Sequence, residues 1–138
     1  MSLDGAIQRI QALALSSTDT TIKAAPDYPV DDATILPLSI SYIKGGTAQA
    51  DDAGTSRLLI TLGCDVHFSR DNIKLTYKQI DLFVPEFLKR LSGDPTLNGQ
   101  VQTIVYPITF SVVPAQFNTI VTQMVTFDIT VKFREASI

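Results

Sequence analysis

The stretch that decides the fold runs from residue 69 to residue 93 and reads Ser-Arg-Asp-Asn-Ile-Lys-Leu-Thr-Tyr-Lys-Gln-Ile-Asp-Leu-Phe-Val-Pro-Glu-Phe-Leu-Lys-Arg-Leu-Ser-Gly. Its apolar residues recur at steps of three and four, which predicts an amphipathic helix. Ser69 or Asp71 can cap the first turn, and Gly93 can supply a left-handed cap at the end. Pro85 should kink the helix or split it after Phe83. The predicted apolar stripe consists of Ile73, Tyr77, Ile80, Val84, Leu88 and Leu91.

Strand patterns lie on both sides of this helix. Alternating apolar and polar residues predict strands over 34–43, 57–68, 101–113 and 119–134, and a short first helix ends near Leu15. No repeated strand–helix–strand pattern appears, which does not favour a doubly wound parallel sheet. We therefore expect an α+β fold with a mainly antiparallel (mixed) sheet and helices packed on one face.

The composition is that of one globular domain. The chain has 138 residues, of which 45% are hydrophobic and 18% charged, and a domain of this size buries roughly 68% of its unfolded surface. A net charge of -3 argues against binding DNA by neutralising phosphates. A single cysteine, the absence of a signal peptide pattern and the absence of a long apolar run predict a cytoplasmic protein that does not contact the membrane.

A polar segment from Lys44 to Ser56 separates the first two predicted strands. It is rich in Gly, Ala and Asp and has little apolar mass to bury. We expect an exposed hairpin arm, which is either a disordered tip or a segment that becomes ordered on a partner. Asp51 and Asp52 are a weak metal signal because they lack the spacing of a calcium loop. We hypothesise instead that Lys44, Asp51, Asp52 and Arg57 border an interface.

A second candidate contact lies in the proline-rich segment before the first long strand. Tyr28 stands between Pro26 and Pro29, in a stiff extended loop that also carries Asp27 and Asp31. The ring either folds onto its own domain or anchors a neighbouring subunit. We predict that Asp27, Tyr28 and Asp31 lie at an interface.

No constellation for chemistry is evident in the sequence. His67 is the only histidine, so a zinc site is implausible, and no Gly-x-Ser-x-Gly elbow accompanies the Asp65–His67 pair. We interpret His67 as a surface or interface residue and Cys64 as a small buried apolar residue. No glycine loop for phosphates is present. The sequence predicts no enzyme, no cofactor and no metal.

The second half of the chain carries a family resemblance. After the long helix come Asp94-Pro-Thr-Leu-Asn-Gly-Gln-Val101 and two long strands, the last ending Phe127-Asp-Ile-Thr-Val-Lys-Phe-Arg-Glu135. This arrangement resembles the tail terminator, or tail completion, proteins of long-tailed bacteriophages. In that family a helix leads into an Asp-Pro-x-Leu-x-Gly-x-Val turn, and a final strand of Val-Lys type ends the domain. The family's Gly-Tyr pairs between these strands are replaced here by residues 113–117.

The resemblance implies a structural virion protein of the tail and neck region, assembled in the host cytoplasm. Its members form a hexameric ring that caps the tail tube protein, stops tube growth and joins the head connector or stopper protein. DNA would pass through the lumen without specific binding, which suits an acidic chain. The alternatives are a head–tail connector, a tail-tube subunit, or a small α+β enzyme or ligand-binding domain.

Overall fold

The computed structural model describes residues 2–17, 36–50, 55–117 and 120–136. Two helices and four strands follow one another along these segments: α1 (Leu3–Leu15), β1 (Leu38–Ala50), β2 (Thr55–Ser69), α2 (Ile73–Ser92), β3 (Thr103–Phe117) and β4 (Ile120–Ala136). The strands form one sheet of order β1-β2-β4-β3, in which each neighbouring pair is antiparallel. The predicted α+β fold with an antiparallel sheet is confirmed.

The two helices share one hydrophobic core with a single face of the sheet. Phe83 and Phe87 of α2 lie against Phe127 of β4, with ring centroids 6.2 and 4.9 Å apart. Phe83 also meets Phe68 of β2 edge to face. Such aromatic contacts add to the area buried and fix the angle at which the helix crosses the strands. The core is completed by apolar residues of α1, including Ala6, Ile10, Leu13 and Ala14.

The apolar stripe of α2 is rotated from the predicted one. Ile80 and Leu91 are buried as expected, but Ile73 and Tyr77 are 42% and 44% exposed. Phe83 and Phe87 take the central core positions instead. The apolar residues of the helix span a wide arc, and Leu75 and Leu82 lie outside it, so the sequence period alone leaves the rotation about the helix axis open. The aromatic residues of the sheet select the larger rings.

Three further expectations for α2 are wrong. The helix is capped by Asn72, whose side chain accepts from the Leu75 N–H at 3.2 Å, and not by Ser69 or Asp71. Gly93 has φ -80° and therefore no left-handed conformation. The predicted split after Phe83 does not occur, because Pro85 lies inside one continuous helix. The alternative, a kink at Pro85, stays a prediction.

The left-handed conformation occurs a few residues later, in the turn that leads into β3. Leu97, Asn98 and Gly99 have φ of 48°, 57° and 79°. Asp94 holds this turn, because its Oδ1 accepts from the Asn98 N–H at 2.9 Å and its Oδ2 accepts from Arg9 Nε at 2.7 Å. Leu97 is fully buried, so the turn places an apolar side chain in the core.

The first strand presents polar residues to the helices and apolar residues to the other face of the sheet. Gln11 of α1 donates from Nε2 to the Ser39 carbonyl at 2.8 Å. Its Oε1 accepts from the Ser39 and Ser41 hydroxyls at 2.8 and 2.7 Å. All three side chains are buried, so they join α1 to β1 by hydrogen bonds where apolar packing is absent. Leu38 and Ile40 form a small separate cluster on the opposite face.

The segment from Lys44 to Ser56, which we expected to be an exposed hairpin arm, is β-structure in its described residues 44–50 and 55–56. Strands β1 and β2 remain paired from Leu38–His67 out to Ala50–Ser56, with a bulge between Ile43 and Gly45. Residues 43–50 are all exposed. Their weak β-propensity is overridden because β2 pairs along its whole length with β4 on the other side. The result is a projecting hairpin, hereafter the β1–β2 hairpin.

The alternation in β3 is interrupted at its middle. The pairing with β4 shifts register between Val105 and Thr109, so that the three β3 residues 106–108 lie opposite one β4 residue, Ile129. Ile104 is buried before this bulge, whereas Tyr106 within it is 55% exposed. In a regular strand these two residues would share one face. The bulge interrupts that face and leaves Tyr106 at the outer edge of the sheet.

Candidate functional site: assembly surfaces

His67 is a buried residue and not the surface or interface residue that we expected. It lies between Leu38 on β1 and Met124 on β4 and is 3% exposed. Its Nδ1 is 2.8 Å from the Thr122 hydroxyl. Burial lowers the pKa of His67 to about 4, and the nearby Asp65 carboxylate opposes that change only in part. The ring is therefore neutral near pH 7.

Asp65 shares a face with His67, as the sequence predicts, but its carboxylate has a structural use. Oδ2 accepts from the Tyr42 hydroxyl at 2.9 Å, and Oδ1 accepts from the Thr126 hydroxyl at 2.6 Å. Burial raises the pKa of Tyr42, and the hydrogen bond to Asp65 raises it further. Three strands are joined through one carboxylate. The Tyr42 phenol stays protonated and serves as a donor.

Cys64 is buried, as predicted. It is 0% exposed, and its Sγ lies 3.6 Å from the Ser39 hydroxyl. Burial raises the pKa of the Cys64 thiol to about 11, against the lowering effect of hydrogen bonds from Ser41 and Ser39. A thiol in this environment is a poor nucleophile, because the reactive form is the thiolate.

Metal and membrane sites were searched among the described residues. Within residues 2–17, 36–50, 55–117 and 120–136, no group of three or more His, Cys, Asp or Glu side chains is placed to hold a metal ion. Neither helix in that part of the chain is long and apolar enough to cross a membrane. Asp51 and Asp52, the weak metal candidates, lie outside the described residues.

Two of the seven predicted interface residues are described by the structure. Lys44 lies at the bulge of β1, and its Nζ reaches across β2 to Asp128 Oδ1 on β4 at 2.7 Å. Arg57 lies nearer the tip of the hairpin, opposite Gln49, and is exposed. The structure thus separates the two along the β1–β2 hairpin and engages the Lys44 charge within the sheet. Asp27, Tyr28, Asp31, Asp51 and Asp52 lie outside the described residues.

The sequence reasoning missed the role of Gly63. This residue pairs with Tyr42 on one side and Asp128 on the other. Because it has no side chain, the Tyr42 ring packs directly over it, and Lys44 can cross the same strand. An isolated glycine inside an alternating strand is the available signal, since it marks a close approach by another group.

Exposed apolar side chains occur on the exposed side of α2 (Ile73, Leu75, Tyr77 and Leu82) and on two surfaces that involve β3. One is an open groove between α2 and the β3 bulge, lined by Pro85, Leu88, Lys89, Ser92, Tyr106, Pro107 and Ile108. The other lies along the outer half of β3, where Phe110 is 47% and Val112 is 36% exposed. A shallower groove on the β1–β2 hairpin is lined by Ile43, Gly45, Gly46, Thr47, Ala48, Leu58 and Ile60. Adjacent apolar surfaces of this kind favour contact with another protein.

No protein family model matches the chain, and no curated protein matches it. The candidate site is therefore described from the geometry of the chain itself, as a set of exposed apolar surfaces.

Proposed function

We propose that the protein is a structural component of a virus particle, a tail terminator that forms a hexameric ring on the end of a bacteriophage tail tube. In this role it stops tube growth and provides the surface for the head connector or stopper protein. The family and the hexamer come from the resemblance of the sequence at residues 94–101 and 127–135. The surfaces described above support the part of the proposal that concerns assembly.

The observation that carries the proposal is the exposed β1–β2 hairpin on a sheet with two outer strands. Residues 43–50 are all exposed although they are regular β-structure. A monomeric protein gains little from extending β1 through residues 43–50, since the side chains of this half of the strand bury little apolar surface. A contact with another chain gives the hairpin a use and covers its exposed backbone.

The turn from Asp94 to Val101 supports the proposal in a second way. Leu97 and Val101 are buried, and the Ile104 N–H donates to the Pro95 carbonyl at 2.8 Å. The motif that carries the resemblance is thus a fold-determining element, with the helix before it and the strands after it in the order that the family implies. His67, Asp65 and Cys64 contribute packing and hydrogen bonds within the sheet, which suits an assembly protein.

The mass of the purified full-length chain tests this proposal most directly. We expect a mass six times that of the 15.1 kDa chain by light scattering and native mass spectrometry, and closed rings in electron micrographs. Added to tail-tube subunits of the same virus, the protein should shorten the tubes that form. A compact monomer at every soluble concentration would contradict the proposal.

The same experiment separates the alternatives. A tail-tube subunit polymerises by itself into long tubes, whereas a terminator stays as a ring until a tube end is present. A head–tail connector forms a ring but leaves tube length unchanged. Ligand-binding or enzymatic function would be indicated by a monomer that binds a small molecule in the groove between α2 and β3.

A further inference from the structure

Few charged side chains line the two outer strands of the sheet, and bulges in both strands and two prolines in β3 limit the part of each edge that can pair with another strand. β3 has fifteen residues, none of them charged, and β1 has thirteen residues with Lys44 as the only charge. Natural edge strands are usually protected by charged side chains, because a long uncharged edge offers its backbone groups to another strand. Lys44 does not protect β1, since its ammonium group is paired with Asp128.

Only part of each outer strand is accessible for pairing with a strand of another chain. On β1, residues 43–50 are exposed, whereas residues 38–41 are buried. On β3, Pro107 and Pro114 bracket the segment 108–113, in which every residue can donate a backbone hydrogen bond. Residues 109–112 within it are all exposed. Each edge therefore offers one uninterrupted segment of six to eight residues, which is a typical strand length.

The strand directions make these segments complementary. Every neighbouring pair in the order β1-β2-β4-β3 is antiparallel, so β1 and β3 run in opposite directions at opposite edges. A second copy whose β1 lies antiparallel to β3 of the first must also be offset along the strands, because Phe110 is level with Ser41 of its own sheet and Gly46 lies four β2 residues farther along. Rotating the second copy about an axis inclined to the strands gives this offset. Such a head-to-tail contact uses a different surface on each copy and closes into a ring when the rotation allows it.

The side chains beside the two edges also fit. Phe110 projects from the helix-bearing face at the β3 edge, where its ring is held 5.8 Å from that of Phe127. On the same face at the β1 edge, Gly46 and Ala48 pair with Ile60 and Leu58 and line the shallow apolar groove of the hairpin. A ring placed over a cross-strand glycine already occurs inside this chain, where Tyr42 packs on Gly63.

We propose that residues 108–113 of β3 pair in antiparallel fashion with residues 43–50 of β1 in a second copy of this chain, with Phe110 seated in the groove at Gly46. The sheet then continues from one copy to the next. This inference rests on the proposed homo-oligomeric function and names the contact that would build the ring.

Two lysine variants and their mixture test the contact. Phe110→Lys charges the β3 edge, Ala48→Lys charges the β1 edge, and Leu82→Lys on α2, where Leu82 is 52% exposed, is the matched control. We expect each edge variant alone to sediment as a single chain and the control to sediment as the unmodified protein does. An equimolar mixture of the two edge variants should form a 1:1 dimer, because it retains one intact β1 edge and one intact β3 edge.

Several results would overturn the inference without affecting the proposed function. If the unmodified protein forms rings and both edge variants still form them, the contact lies elsewhere. If Ala48→Lys alone gives a dimer, β3 pairs with β3 of the second copy. Conversely, assembly that requires both edges but does not change tube length would support the contact and contradict the terminator function.

Hydrogen exchange of the unmodified protein provides a test that does not depend on folding of the variants. Amides in 43–50 and 108–113 should exchange at least about tenfold more slowly in the assembly than after dilution to single chains. Amides of the exposed side of α2 should not change. Equal exchange of the two edge segments in both states would contradict the inference.

Discussion

The ring of Tyr42 on β1 lies directly over Gly63 on β2, and a β-carbon at position 63 would approach the ring Cζ to 2.7 Å. This contact aims the Tyr42 hydroxyl at Asp65, 2.9 Å away. The glycine thereby sets the position of the tyrosine, and the tyrosine joins the edge strand to the central pair of strands.

Gly63→Ala should destabilise the fold, because the added methyl group displaces the Tyr42 ring and breaks its hydrogen bond to Asp65. We expect a loss of about 1–3 kcal/mol in the free energy of unfolding, as for other overpacked sites. Urea unfolding followed by circular dichroism measures it. Gly45→Ala is the control, since nothing lies within 4 Å of a β-carbon there. Equal effects of the two substitutions would refute the packing role of Gly63.

His67 should make the stability of the protein depend on pH. Its folded-state pKa is about 4, below the value of about 6.5 expected in the unfolded chain. Between these values the unfolded state binds more protons, so stability present above pH 6.5 is lost as the pH falls toward 4. The difference between the two pKa values of His67 corresponds to about 3 kcal/mol in the free energy of unfolding.

The variant His67→Gln isolates this contribution. Glutamine can still bond to Thr122 but does not titrate, so the acid-induced loss of stability should be smaller by most of that amount. Chemical unfolding at pH 7, 5.5 and 4 gives the slope of the unfolding free energy against pH for the unmodified protein and for the variant. The contributions of acidic groups common to both proteins cancel when the two slopes are compared. Parallel slopes would show that His67 is protonated in the folded state at the same pH as in the unfolded chain.

Cys64 should report on unfolding. Its thiol is fully buried and its pKa is raised to about 11, so a maleimide reagent at pH 7.5 should label it only when the sheet opens. We expect labelling at the rate of unfolding in buffer and at the rate of a free thiol in urea. The engineered thiol of Lys78→Cys, at an exposed position of α2, is the control and should react at once. Rapid labelling of Cys64 in buffer would contradict its burial.

The α2 helix shows what periodicity predicts and what it leaves open. Leu75 and Leu82, each 52% exposed, follow the same spacing rules as the buried residues, so several stripes fit the same sequence. The choice among them depends on Phe68 and Phe127, which approach the helix from strands far away in the chain. The existence of the helix is a local property, whereas its rotation is a property of the core.

The sheet likewise has features that the local sequence predicts and features that depend on distant contacts. Alternation identified all four strands and their antiparallel character, but the order β1-β2-β4-β3 depends on pairings between distant segments. The length of the strands in the β1–β2 hairpin was underestimated because Gly45, Gly46 and the alanines have low strand propensity. Its candidate interface residues were chosen by composition, and Lys44 proved to be engaged with Asp128 only once the order of the strands was known.

The turn after α2 should depend on Asp94 more than on its ion pair with Arg9. Asp94→Ala removes both that ion pair and the hydrogen bond from the Asn98 N–H, which supports a residue with positive φ. We expect a loss of about 2 kcal/mol in the free energy of unfolding. Arg9→Ala removes the ion pair alone, and because Arg9 is 37% exposed its loss should stay below about 1 kcal/mol. Urea unfolding of both variants measures the difference.

Added salt should reduce the effect of the Arg9 substitution but leave most of the Asp94 effect, since screening acts on the charge pair and not on the hydrogen bond within the turn. Equal losses for the two variants would mean that the ion pair, rather than the Asn98 N–H, accounts for the contribution of Asp94.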